Sequence, residues 1–287
     1  MRQCQSSLTA AGIAIVRAIE SERPAGERIC YDPYARHFVS GALYQFVRFF
    51  ERIGYGERIG PGVMGFLLAR ERHIDETLQA ALADGLEQLV ILGAGFDSRP
   101  YRFEQLKGHV RVFEVDHPAT QQVKLKKLQT IFGRIPDHVV YVAIDFNTQS
   151  LAQRLLESGY DAGLKTLFIW QGVTQYLTPE AVDNTLAFVA GHSGPGSSIV
   201  FDYLYPSIMA DSHRGEVRRM RRMRRLSGEG LVFGIAPDQI VDFLEQRGFT
   251  NIHNADHVYL HETYFTGVNR RRTVTDGYAV VSARVKP

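Results

Sequence analysis

The residues best placed to do chemistry lie where apolar runs stop. Leu89 to Leu92 show no polar alternation, the pattern of a central strand covered on both faces, and they run straight into Gly93-Ala94-Gly95. Two glycines directly after a buried strand let the backbone turn sharply and let a ligand reach main-chain atoms that a side chain would screen. About twenty residues further on, Phe113-Glu114-Val115-Asp116 closes a second apolar run on an acid, the usual place for a carboxylate that binds ribose hydroxyls. A third run ends in Ile144-Asp145-Phe146, a carboxylate for an adenine amino group beside a ring that can stack on the base. Acids and glycines at three successive strand ends describe a site for an adenosine-bearing cofactor.

The chemistry around the first loop narrows the cofactor. A dinucleotide loop has a third glycine where this chain has Ser98, and Asp97 would put a negative charge where a pyrophosphate should lie. A nicotinamide dinucleotide is therefore disfavoured. A sulfonium cofactor with an ammonium and a carboxylate needs an acceptor for its amine, which the loop backbone offers, and a basic group for its carboxylate, for which Arg70 and Arg17 are the candidates. S-adenosyl-L-methionine fits these demands. No convincing acid–base dyad accompanies the loop. His73, Tyr176 and Tyr203, with His117 and Tyr205, stand near expected strand ends or in the N-terminal cover and read as structural or substrate-orienting groups. A carboxylate acceptor, ionised above about pH 4, needs no base, whereas a phenol titrating near ~10 does, so the missing dyad favours a carboxyl acceptor. Cys4 and Cys30 are the only cysteines, too few for a disulfide framework or a cysteine-rich zinc site. No metal is expected.

These residues must be held by a regular scaffold, and the pattern supplies one. From residue 88 onward, strand candidates at 89–92, 110–115, 139–144, 166–170, 198–203, 249–255 and 277–285 alternate with helical stretches near 118–129, 149–158, 179–190 and 237–247. That alternation implies right-handed crossovers and a mostly parallel sheet with helices on both faces. No amphipathic helix is visible between the last two strands, so a hairpin with an antiparallel terminal strand is expected. Upstream, residues 8–22 read as an amphipathic helix, and Asp32-Pro33 as the cap and first turn of a second helix through Tyr34 and Phe38. The aromatics of 44–50 at helical spacing read as core packing, with a pocket wall for a flat apolar substrate as the alternative. Gly54, Gly56, Gly60 and Gly62 suggest a hinge or flexible lid, and residues 63–84 a long helix carrying Arg70, Arg72 and Asp75. The chain thus divides into an N-terminal helical lid, 1–86, and a cofactor-binding domain, 87–287, interrupted by an insertion near 205–235.

That insertion holds Arg214, Arg218, Arg219, Arg221, Arg222, Arg224 and Arg225, with Val217, Met220, Met223 and Leu226 at every third position. A solvated helix face is the plain reading; contact with an acidic substrate, a phosphate-bearing carrier or an anionic membrane is the alternative. Nucleic acid is not expected, because 33 basic residues nearly balance 31 acidic ones and no aromatics interleave with the arginines. Hydrophobic residues make up 45% of the 287, enough for one large α/β core, and no uninterrupted apolar stretch has the length of a membrane span. A soluble cytoplasmic protein is the expectation.

Taken in order, Leu92-Gly-Ala-Gly-Phe-Asp-Ser-Arg-Pro-Tyr-Arg102, Phe113-Glu-Val-Asp-His-Pro118, Ile144-Asp-Phe146 and Trp170-Gln-Gly-Val-Thr-Gln-Tyr-Leu-Thr-Pro179 resemble the leucine carboxyl methyltransferase family. The chain is most similar to the bacterial branch, S-adenosylmethionine-dependent O-methyltransferases often linked to polyketide and other secondary metabolism. Arg17-Ala-Ile-Glu20, Asp32-Pro-Tyr-Ala35 and Arg70-x-Arg-x-Ile-Asp75 extend the resemblance over nearly the whole chain. It implies a Rossmann-like methyltransferase fold with a seven-stranded sheet and a small-molecule acceptor. It further implies that Arg70, and Arg17 beside it, hold the methionine carboxylate. Gly93 and Gly95 would line the methionine and ribose portion, Asp116 would take the ribose hydroxyls, and Asp145 with Phe146 would flank adenine. Gln171 stands where the family usually has glutamate; its amide carbonyl still accepts a hydrogen bond from the cofactor ammonium. An acyl-carrier protein meeting the arginine-rich insertion is the partner this branch suggests. The competing reading is a non-catalytic cofactor-binding partner or regulatory module that keeps the fold, with Gln171 marking lost activity.

Overall fold

The computed structural model describes residues 6–145, 148–210 and 231–287. Its centre is a seven-stranded sheet made of β1 (Gln88–Leu92), β2 (Arg111–Asp116), β3 (Val139–Ala143), β4 (Thr166–Trp170), β5 (Ser198–Leu204), β6 (Phe249–Ala255) and β7 (Tyr278–Val285), in the spatial order β3-β2-β1-β4-β5-β7-β6. β1 pairs in parallel with both β2 and β4, so the strand order reverses direction beside β1. Open α/β sheets bind ligands outside the carboxyl ends of the strands at such a reversal. The architecture is the α/β one that the alternating pattern implies.

Successive side chains of β1 go to opposite layers, as pleating requires. Leu89 and Ile91 join a core built with α1 (Ser6–Ser21), α4 (Val63–Ala83) and α6 (Pro118–Phe132), through Ala14, Ile15, Leu68, Leu78 and Leu128. Val90 and Leu92 join a second core with α7 (Leu151–Glu157), α8 (Pro179–Gly191) and α10 (Ile240–Glu245), through Leu155, Val182, Leu186 and Leu244. Local chemistry starts and stops these helices. Pro118 opens α6 behind the His117 side chain, which accepts from the Ala119 amide at 3.2 Å, and Gly133 ends it in a left-handed conformation. Thr178 and Pro179 open α8 in the same manner. Because α1 and α4 share their core with β1 and β2, residues upstream of β1 form a packed layer on the sheet.

Four expectations change. Asp32 does cap, its Oδ1 accepting from the Tyr34 and Ala35 amides at 2.9 and 3.0 Å, but the helix behind it is a single 3₁₀ turn, Ala35–Phe38. Val39 is extended, and Ser40 starts afresh as the cap of α2 (Gly41–Arg52). The aromatics of α2 are not core, apart from Tyr44: Phe46 and Phe49 are 62% and 60% exposed. A short α3 (Tyr55–Ile59) fills the expected hinge between the left-handed Gly54 and Gly62. Finally, β7 is antiparallel as expected but inserts between β5 and β6, pairing with both, and α11 (His257–Tyr264) stands in the connection where a plain hairpin was expected. α5 (Arg99–Arg102) and α9 (Pro206–Ala210) complete the helices named here. The arginine cluster at 214–225 lies outside the described residues. No helix of the described residues is long and apolar enough to cross a membrane.

Candidate functional site

The carboxyl ends of β1, β2, β3, β4 and β5 bring the expected residues to one edge of the sheet. Gly93 and Gly95 follow β1 with φ of 67° and 45°, a conformation that costs other residues dearly. A Cβ on Gly93 would lie 2.4 Å from Val173 Cγ2, in the loop after β4, so the turn is close-packed at the point where the strand order reverses. Asp116 ends β2 with both carboxylate oxygens engaged: Oδ2 accepts from the Gly95 amide at 2.6 Å and Oδ1 from the His117 amide at 2.7 Å. Burial raises its pKa while those two N–H groups oppose the shift. The loop and the acid are thereby locked together, with one lone pair of each oxygen left over. Asp145 lies just past β3 and is partly buried, its amide donating to Gln149 Oε1 at 2.9 Å. Phe146 falls outside the described residues.

Arg70 projects from α4 and is 2% exposed. Its Nη1 donates to Asp202 Oδ2 on β5 at 2.5 Å, and Asp202 Oδ1 accepts from the Gly172 amide at 2.6 Å. The other two nitrogens of the fork, Nε and Nη2, are buried and have no hydrogen-bond partner among the described residues. A buried guanidinium with unmet donors is costly, and a ligand carboxylate is the group that fits such a fork.

Arg17 is also buried, and its Nε makes no hydrogen bond among the described residues. It meets Asp32 at 3.0 Å and Glu71 at 3.4 Å, and donates to the Phe96 carbonyl at 2.5 Å. These contacts tie α1 to the glycine loop. Glu71 in turn forms an ion pair with Arg99 at 3.1 Å and lies 3.5 Å from Arg102. Arg99, fully buried, also pairs with Asp75 at 2.8 Å and Asp97 at 2.5 Å, and Arg102 with Asp75 at 2.6 Å. Asp97, whose charge the sequence set against a pyrophosphate, is an ion-pair partner of Arg99 inside this cluster. Burial pushes the Glu71 carboxyl up, and Arg99, Arg17 and Arg102 more than reverse that, holding it well below the usual carboxylate range. Asp97 is held down the same way, chiefly by Arg99, whereas burial wins at Asp75 and raises it. Burial alone would lower Arg99, and its three acids raise it further still.

Gln171, the residue after β4, joins this cluster. Its Oε1 accepts from Arg99 Nη1 at 2.9 Å and its Nε2 donates to Glu71 Oε2 at 2.7 Å. Tyr203 is fully buried in the opposite layer, its hydroxyl donating to Asn254 at 3.1 Å. Tyr176 ends a 3₁₀ turn, Thr174–Tyr176. His73 is 7% exposed against His253, Tyr259 and Tyr264. Tyr264 donates to Glu76 at 2.7 Å, so its oxygen accepts from His73 Nδ1 at 3.0 Å, and burial, then His253, lowers the histidine pKa to about 4.

Sequence reasoning missed Glu71, Arg99 and Asp202. Asp202 carried a signal, a lone acid inside the apolar run Ser198–Leu204. Glu71 carried none, since an Arg-Glu-Arg string on a helix reads as a solvated face.

The family model described as leucine carboxyl methyltransferase matches residues 10–190. The Bacillus subtilis (strain 168) protein YktD, named as a candidate S-adenosyl-L-methionine-dependent methyltransferase, is 37% identical over 182 residues, 63% of this chain and 60% of its own. SCO7813 of Streptomyces coelicolor, named in the same way, is 34% identical over 190 residues, 66% of each chain. Both matches span less than two thirds of those relatives. A protein of Mycobacterium sp. (strain JLS) with the same name is 30% identical over 257 residues, 84% of this chain and 82% of its own. Among solved structures, a DUF574 family protein from Streptomyces avermitilis superposes with a TM-score of 0.60 at 14% identity, covering 96% of this chain and 97% of that one. A candidate methyltransferase from Thermobifida fusca gives 0.57 at 15% identity, covering 96% and 94%. At such identities the likeness shows the Rossmann-like fold.

Proposed function

The chain belongs to the leucine carboxyl methyltransferase family, and from that premise we propose that it is an S-adenosyl-L-methionine-dependent O-methyltransferase acting on a small metabolite, with a carboxylate oxygen preferred to a hydroxyl as acceptor. The observation that carries the reading is Arg70, whose buried Nε and Nη2 lack hydrogen-bond partners among the described residues. When bound, the cofactor supplies an electrophilic methyl group on a sulfonium. The residues present fit it. Arg70 would hold the methionine carboxylate while Nη1 stays on Asp202. The free lone pairs of Asp116 would take the ribose hydroxyls, their aim set by the Gly95 and His117 amides. Asp145, with Phe146, would flank adenine, and the positive φ of Gly93 and Gly95 keeps the loop backbone open to the methionyl-ribose part. Gln171 Oε1 keeps a lone pair for the ammonium beyond its bond from Arg99.

For an ionised acceptor the protein's work is alignment and exclusion of water, not proton removal. The side chains support that division of labour: His73 Nδ1 is committed to Tyr264, and the Tyr203 hydroxyl to Asn254 in the far layer. A polyketide-type or carrier-tethered acceptor, with the 214–225 arginines meeting an acyl-carrier protein, is the narrower form of the proposal and rests on the sequence alone. Calorimetry with S-adenosyl-L-methionine and S-adenosylhomocysteine tests the premise, and binding of neither would sink it. If both bind, transfer of a labelled methyl group to a panel of carboxylic acids and their matching alcohols tests the acceptor; turnover confined to the alcohols would overturn the carboxylate preference.

A further inference from the structure

The buried ion cluster between α1, α4 and the loop after β1 does not balance. Asp32, Glu71, Asp75 and Asp97 face Arg17, Arg99 and Arg102, so four carboxylates meet three guanidiniums through a continuous set of contacts. A surplus buried charge is expensive unless something of opposite sign comes to it. The cluster reaches the strand ends through Gln171, which is partly exposed and follows β4 directly. Its amide can point only one way: Arg99 can only donate and ionised Glu71 can only accept, so the carbonyl turns to Arg99 and the NH₂ to Glu71. Gln171 is thus a neutral group clamped between both signs, with a carboxylate 2.7 Å behind its nitrogen.

We propose that Glu71 is a positioning residue for the cationic end of the cofactor: it fixes the Gln171 amide and supplies, from behind it, the negative charge that the cofactor ammonium meets at the end of β4. The proposal rests on the methyltransferase reading above. It also makes Gln171 a working part of the site and not a mark of lost activity. Glu71 itself is 1% exposed; it acts through Gln171. A carboxylate at 171 instead would face Glu71 as a like charge, so the negative charge belongs at one of the two positions and not at both.

The exchange of these two side chains provides the test, with the full-length chain in calorimetry. S-adenosylhomocysteine carries the amino-acid end, and 5′-methylthioadenosine carries the same adenosine and thioether without it. Glu71→Gln is expected to weaken S-adenosylhomocysteine about tenfold, the scale of one charge-assisted contact, and to leave 5′-methylthioadenosine unchanged. The double exchange Glu71→Gln with Gln171→Glu returns the carboxylate to the pair and should restore most of the lost affinity. Gln171→Met, which leaves Glu71 with its arginines, should show the same selective loss even if Glu71→Gln unfolds. Equal weakening of both ligands, no weakening of either, or a double exchange no better than the single would overturn the role of Glu71. A wild-type chain that binds neither ligand would overturn the methyltransferase reading itself, an outcome distinct from parallel loss in a variant.

Discussion

Arg70→Lys separates holding the fold from holding a ligand. The arginine places one nitrogen on Asp202 at 2.5 Å and leaves two others without a hydrogen-bond partner among the described residues. Lysine has a single ammonium, which can stay near Asp202 or reach a ligand carboxylate but cannot present a fork to both. In the ligand-free protein Asp202 keeps the Gly172 amide and a nearby cation, so the cost in stability should be about 1 kcal/mol. Arg70→Ala would strand a buried carboxylate at about 3–5 kcal/mol. In the complex, the lysine variant loses at least one charge-assisted hydrogen bond, about 2 kcal/mol, or about a thirtyfold rise in the dissociation constant of S-adenosylhomocysteine. Thermal unfolding measures the first quantity and calorimetry the second. The affinity for 5′-methylthioadenosine, which has no carboxylate, should not move. If the lysine variant is folded and binds S-adenosylhomocysteine like the wild type, the carboxylate is not held at Arg70.

Three further perturbations probe other parts of the edge. Asp116→Ala should weaken both ligands alike by about 1–3 kcal/mol, because both carry the ribose; a loss confined to S-adenosylhomocysteine would misplace the sugar. Gly93→Ala should lower stability by about 1–2 kcal/mol for the left-handed backbone alone, plus the cost of the 2.4 Å approach to Val173. Adding Val173→Ala should relieve only the second part, as read from melting temperatures. His73 titrates at about 4 in the fold, against ~6.5 when unfolded, so the unfolded chain takes up the proton first as pH falls. Stability is therefore lost from about pH 6.5 down through about 4, reaching about 2 kcal/mol by pH 5 for this group facing Glu76, His253, Tyr259 and Tyr264. His73→Gln should lose less melting temperature than the wild type between pH 7 and pH 5; an equal loss would remove His73 as the cause.

The strand ends were legible in the chain because the physics there is local. A run such as Leu89 to Leu92 that closes on glycine, or Val115 that gives way to Asp116, needs no distant partner to be understood. The mostly parallel pairing of the first five strands follows from the regular alternation of strand and helix in the same way. Other features depend on residues far apart in sequence. Arg70 and Asp202 are 132 residues apart and meet only when α4 lies over β5. The three arginines and four acids around Arg99 look from sequence like ordinary polar helix and loop positions, because each one's partner comes from another element. The exposed Phe46 and Phe49 show the reverse limit: helical spacing of aromatics marks a face but not which side of the protein covers it.

The position of β7 has a consequence for how the chain is made. Its residues 278–285 are synthesised after β1 to β6, yet they bond to β5 on one side and β6 on the other. Until they emerge, β5 presents an open rim of main-chain donors and acceptors over the apolar run Ile199 to Leu204, and β6 has no strand to join. Such rims template pairing between neighbouring chains. A nascent chain stalled before β7 is the species most prone to aggregate, and chaperone demand during expression should concentrate on that late interval of translation.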